Sequence, residues 1–123
     1  MNVRQFIRSF KYASRGIVRV WQEEQSFRLQ VVVAALVVIL MFALGLRTSE
    51  KAILTLAIAM VLVLELLNSA IERVVDLIKP RLHPYVEDIK DVTAAMVLVA
   101  AIGAATIGLL VFWPYLQSLL TVK

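Results

Sequence analysis

Leu29 to Leu46 runs for eighteen residues without a charge, and Val92 to Phe112 for twenty-one. Each comes close to the ~20 residues that an α-helix needs to cross hydrocarbon, so both predict transmembrane helices. Between them a third apolar run, Ala52 to Leu64, continues with helix formers through Glu65, Asn68, Glu72 and Asp76 to Ile78. The pattern before the first run is different. Val3, Phe6, Ile7, Phe10, Ile17 and Trp21 recur at helical spacing, while Arg4, Arg8, Lys11, Arg15 and Arg19 form a second row. At about 100° per residue the five cations fall within roughly an 80° arc. A helix divided in this way is expected to lie in the membrane interface, with its apolar face down and its cations among lipid phosphates. The expectation is one domain over residues 1–123: an all-α membrane protein with an amphipathic surface helix over about 3–24 and transmembrane helices over about 28–46, 51–78 and 90–113.

Composition supports this solvent. Of 123 residues 61% are hydrophobic and 18% charged, too apolar for an ordinary soluble domain of this size. Some thirty residues of charged, patterned helix precede the first span and no small-residue cleavage site closes it, so a cleavable signal peptide is not expected. No repeat and no low-complexity tract interrupts the chain, and Pro80 and Pro84 punctuate the one loop of any length.

Net charge, +4 from thirteen Lys and Arg against nine Asp and Glu, would suit nucleic acid only if the bases formed a patch on a soluble fold. They sort instead by topology, and no nucleic-acid partner is expected. Six lie before or at the start of the first span (Arg4, Arg8, Lys11, Arg15, Arg19, Arg28) and four flank the second loop (Arg73, Lys79, Arg81, Lys90). Arg47, Lys51 and Lys123 are left for the other side. Lys and Arg accumulate in cytoplasmic loops, so the amino terminus and the second loop are expected inside and the carboxyl terminus outside.

Without Cys and with a single His, the chain has no thiolate nucleophile and no Cys-based or multi-histidine metal site. Any metal must be held by carboxylates, which favours a hard ion such as Mg²⁺. The carboxylates are ordered. With Glu65 at zero, Asn68, Glu72, Asp76 and Ser69 fall within roughly a 100° arc of one helix face. A span beginning at Ala52 puts Glu65 about 9 Å inside the cytoplasmic boundary at 1.5 Å per residue. An ionisable group at that depth is costly unless it faces a bundle interior or wet cavity, and it marks function by default. Asn68 and Ser69 alone would suit an interhelical seam, but three acids on one face need a cation between them. Glu23, Glu24 and Asp91 fall at the same level on the neighbouring segments. Such acids with bases around them suit metal-chelated polyphosphate. No Walker A or kinase Gly-rich loop occurs in the chain.

The segments E-L-L-N-S-A-I-E-R-V-V-D (Glu65 to Asp76) and I-K-D-V-T-A-A-M-V-L-V-A-A (Ile89 to Ala101) closely resemble the prokaryotic diacylglycerol kinase family, which includes the undecaprenol kinases. F-K-Y-A-S-R-G-I (Phe10 to Ile17) resembles its surface helix, and E-E-Q-S-F-R-L (Glu23 to Leu29) its approach to the first span. The resemblance covers nearly the whole chain. It implies a homotrimeric, multi-pass kinase of the bacterial inner membrane, with a cytoplasmic active site that moves the γ-phosphate of Mg-ATP to the hydroxyl of a lipid alcohol. Carried over by motif, Glu65 matches the catalytic base, and Glu24 and Glu72 the metal- and ATP-binding acids. Tyr12, His83, Lys90 and Asp91 match nucleotide contacts, and Asn68 and Asp76 supporting polar residues. Trp21 reads as an interfacial anchor and a candidate lipid contact. Members acting on diacylglycerol carry an Arg where spacing from Trp21 puts Gln5 here, with Arg4 and Arg8 as alternative substitutes, and a Trp where Gly108 stands. With His83-Pro84 after the middle helix, these departures lean toward the undecaprenol kinase branch.

The chemistry of the residues agrees with such a role. Direct phosphoryl transfer needs positioning and charge neutralisation rather than a protein nucleophile, and a carboxylate just below the headgroups can accept the proton of a lipid hydroxyl. Two other classes fit part of the pattern. A small proton-coupled transporter would share an intramembrane Glu, but would carry it in the first of four spans. A non-catalytic assembly protein would use the polar stripe as oligomer glue.

Overall fold

The computed structural model describes residues 2–78 and 84–122 together with the backbone of His83. Four helices follow one another: α1 (Val3–Glu23), α2 (Gln25–Ala43), α3 (Thr48–Ile78) and α4 (His83–Thr121). The last three are long and apolar enough to cross a membrane.

Local chemistry sets the ends. Asn2 caps α1 by accepting from the Arg4 amide, and Gln5 reaches back to the Asn2 amide, which satisfies two orphan donors at once. One extended residue, Glu24 (φ −113°, ψ 111°), separates α1 from α2. Arg28 closes this elbow from below by donating to the carbonyls of Trp21 and Gln22 at 3.0 and 3.1 Å, a cation placed on the negative end of α1. At the far end of α2, Gly45 takes a left-handed φ of 64°. The Leu46 amide then bonds back to the Met41 carbonyl and the Gly45 amide to that of Phe42. This is a Schellman motif, and its flanking side chains, Met41 and Leu46, bury against Leu54. Glu50 restarts the chain as α3 by accepting from the Arg47 amide.

α3 is the central element. It packs against α4 and α2, whereas α2 and α4 do not pack backbone to backbone. An apolar groove of about 570 Å³ remains between them, lined by Ala34, Val37, Ala57, Ala104 and Gly108 among others. The antiparallel register of α3 on α4 is tied at both ends. Lys90 Nζ lies 2.9 Å from Asp76 Oδ1, and at the opposite end the Tyr115 hydroxyl donates to Glu50 at 2.6 Å. On helices rising 1.5 Å per residue the two ties stand roughly 38 Å apart, more than the ~30 Å of hydrocarbon. Most large apolar side chains of α2 and α4 are exposed, as a lipid-facing or partner-facing surface requires.

Five boundaries differ from expectation by three residues or more: α2 ends at Ala43 rather than 46, α3 starts at Thr48 rather than 51, and three others have a visible cause. The first span starts at Gln25, because the turn between surface segment and span takes one residue rather than three or four. The loop expected before residue 90 is mostly helix: α4 already begins at His83, and Pro84 sits in its first turn, where a missing N–H costs nothing. The same helix runs past Phe112 and through Pro114 to Thr121. Only the Leu110 carbonyl loses its helical donor there, so the helix survives.

Candidate functional site

The acids of the sequence stripe meet where the α1–α2 elbow passes α3. Glu65 is buried, with 4% of its surface exposed, and Ser69, one turn on, is buried as well. The Ser26 hydroxyl, from the first turn of α2, donates to Glu65 Oε2 at 3.5 Å. Glu24 on the elbow and Glu72 two turns along α3 both lie close enough for their charges to bear on Glu65. Three carboxylates thus share one locality, reached from two directions: two along a helix face and one across from the elbow.

Asn68 stands between Glu65 and Glu72 on that face. Its Nδ2 donates to Glu72 Oε1 at 3.5 Å, while its Oδ1 is buried and without a hydrogen-bond partner. A buried amide oxygen left open beside carboxylates is a hard donor, and hard oxygen donors are what Mg²⁺ takes. Among the described residues no group of three or more His, Cys, Asp or Glu side chains converges tightly enough to cage an ion. A cation held here would have to complete its shell with oxygens from outside the chain.

Toward the water side of α3 the stripe ends in the Asp76–Lys90 pair, which brings α4 to the same face. Thr93, one turn further along α4, is buried and donates to the Lys90 carbonyl at 3.0 Å. Asp91 is exposed, and so is Tyr12 on α1; among the described residues neither bonds to the acids. The side chain of His83 lies outside the described residues. Trp21 is partly exposed beside the elbow, where its carbonyl accepts from Arg28.

Two contributors escaped the sequence reading. Ser26 entered only as part of the Glu23–Leu29 segment, and Arg73 as one more inside cation. Arg73 in fact pairs with Glu23 across fifty positions and also donates to the Ser69 carbonyl at 3.0 Å.

A family model described as prokaryotic diacylglycerol kinase matches residues 11–112, most of the chain. The chain belongs to the prokaryotic diacylglycerol kinase family. Its similarity to individual members is spread over nearly full lengths. An undecaprenol kinase of Bacillus subtilis is 40% identical over 111 residues, 90% of each chain. A diacylglycerol kinase of Haemophilus influenzae is 34% identical over 108 residues, 86% of this chain and 92% of that one. The diacylglycerol kinase of Escherichia coli K12 is 31% identical over 109 residues, 89% of each. The stretch matched to the kinase family contains the elbow, the acid face of α3 and the Lys90 turn of α4, so the whole candidate site lies inside it.

Proposed function

We propose that the chain is an ATP-dependent lipid kinase that transfers the γ-phosphate to the hydroxyl of a lipid alcohol, with Glu65 as the general base. One observation carries this reading: a buried carboxylate, held by Ser26 and flanked by Glu24, Asn68 and Glu72, within a family whose named members are lipid kinases. ATP is confined to water and the acceptor to the leaflet, so the two must meet near the headgroups. Glu65 stands below that level and Asp76 and Lys90 nearer the water.

Each residue then has a task. Glu65 accepts the proton of the lipid hydroxyl as the hydroxyl oxygen attacks the γ-phosphorus in line, and the bond to the β–γ bridging oxygen breaks to release ADP. Glu24, Glu72 and the open Asn68 oxygen would hold Mg²⁺, which would supply positive charge to offset that of the phosphates. Lys90, kept in place by Asp76, meets phosphate charge from the α4 side, and Tyr12, His83 and Asp91 contact the nucleotide. The cationic surface of α1 lies among lipid headgroups and closes the cavity from the lipid side, with Trp21 at the lipid boundary. Three copies assemble around the acids as a homotrimer, the amino termini cytoplasmic and the carboxyl termini outside.

The acceptor is undecaprenol in preference to diacylglycerol. Identity is 40% to the undecaprenol kinase against 34% and 31% to two diacylglycerol kinases, and Gln5 and Gly108 occupy positions that differ in diacylglycerol-specific members. The apolar groove between α2 and α4 reaches Val61 and Leu62, one turn outward of Glu65, and gives a long tail an apolar path to the base. Presenting undecaprenol and dioleoylglycerol side by side in mixed micelles with Mg-ATP tests the choice. The expected result is a higher kcat/KM for undecaprenol, and a preference for diacylglycerol would reverse the assignment.

A further inference from the structure

Of the three acids grouped at Glu65, Glu24 alone is not carried by α3, so its position depends on how the elbow is fastened. Two bonds fasten it, one on each side. Upstream, Glu23 pairs with the Arg73 guanidinium; downstream, the Ser26 hydroxyl reaches Glu65. These bonds land on α3 eight residues apart, about 12 Å along its axis at 1.5 Å per residue, while on the elbow they are separated by Glu24 and Gln25 alone. The extended backbone of Glu24 makes that drop. Phe27, next to Ser26, is buried as well, but α1 itself is loosely attached. Val20 is the sole buried residue of α1, and Arg28 binds only carbonyls of the elbow itself.

We propose that Arg73 is a positioning residue for nucleotide binding: its bond to Glu23 latches the elbow to α3 and so holds Glu24 against Glu65 and Glu72. An isolated surface ion pair does little for stability, because two long side chains must be ordered to make it. Arg73 differs in geometry. A second guanidinium nitrogen donates to the Ser69 carbonyl one turn back on its own helix, which orients the side chain before Glu23 arrives. The latch therefore supplies position rather than bulk stability. The inference rests on the kinase reading for the role of Glu24, but the latch itself is a matter of distance and can be measured apart from activity.

Arg73→Ala and Glu23→Ala should each raise the KM for Mg-ATP about fivefold or more with little change in the KM for the lipid. The double variant should be no worse than either single one, as expected for two residues acting as a unit. The exchanged pair Glu23→Arg/Arg73→Glu should recover at least half of the loss. Parent-like KM values in the single variants, additive losses in the double, or no recovery on exchange would overturn the proposal. The latch is read directly by spin labels on Ser14→Cys and Val74→Cys, in a chain with no other Cys, diluted with unlabelled protein. A distance distribution narrow in the parent and broad in Arg73→Ala supports it, and equal widths overturn it. Were the parent to phosphorylate no lipid alcohol, the kinase reading would fail, and the distance distributions would still decide the latch.

Discussion

The Ser26 hydroxyl and Glu65 Oε2 lie 3.5 Å apart, joining the first turn of α2 to the middle of α3 across thirty-nine positions of sequence. The bond is at the long limit for its kind, so it orients the carboxylate without consuming it. One oxygen is turned toward α2, and among the described residues Oε1 has no hydrogen-bond partner, which leaves it open to take a proton. Among the described residues, Glu24 and Glu72 are the acids whose charges bear on it. They come from different elements, and their expected duty is to bind rather than to abstract.

That division can be tested on the two binding acids. Glu24→Gln and Glu72→Gln keep side-chain volume but remove a charged hard-oxygen ligand. Each variant should raise the KM for Mg-ATP about tenfold, a loss of ~1.4 kcal/mol in binding, with the KM for the lipid near the parent value. Steady-state kinetics over a Mg-ATP series checks it, and parent-like KM values in both variants would remove them from metal and nucleotide binding.

Two glycines separate backbone need from mere tolerance. Gly45 carries a φ of 64° in the turn between α2 and α3, and a Cβ there would touch nothing within 4 Å. Gly45→Ala therefore costs only the left-handed conformation, about 1–2 kcal/mol. Gly108 lies inside α4, also with nothing within 4 Å of an added Cβ, so Gly108→Ala should leave stability unchanged or raise it. Thermal unfolding in detergent should show a lower Tm for the first and no decrease for the second, with transfer per folded molecule unchanged in Gly45→Ala.

How much of this was legible in the sequence depended on range. Uncharged runs of eighteen and twenty-one residues gave the spans, because a membrane reads length and charge directly. The stripe from Glu65 to Asp76 was legible because helix periodicity alone puts those residues on one face. Proline misled at one place: Pro84 reads as loop punctuation from its neighbours, yet it occupies the first turn of α4, the position in a helix that suits it. What no local pattern could give were the pairings across helices. Ser26 with Glu65, Arg73 with Glu23 and Tyr115 with Glu50 join residues thirty-nine, fifty and sixty-five positions apart. Each depends on how one helix is rotated against another, which hydropathy does not specify.

The orientation proposed from the charge asymmetry is open to chemical labelling. Thr48 at the α2–α3 turn and Glu87 in the first turns of α4 are both exposed and belong to opposite ends of the bundle. In intact spheroplasts an impermeant maleimide should modify Thr48→Cys and leave Glu87→Cys untouched. In inverted vesicles the pattern should reverse, with ATP slowing modification at the Glu87 position. Modification of both from the same side would contradict the three-span topology.

The most direct test of the kinase mechanism follows the phosphate itself. The purified chain, in detergent with Mg²⁺ and ATP labelled in the γ-position, is offered undecaprenol, and the label extracted with the lipid is counted for the parent and for Glu65→Gln. The account predicts label in the lipid phase for the parent, at least a hundredfold less for the variant, and retained ATP binding by both, because a carboxamide keeps the shape of Glu65 but cannot take a proton. Label in the lipid phase at near-parental rate from Glu65→Gln would contradict it.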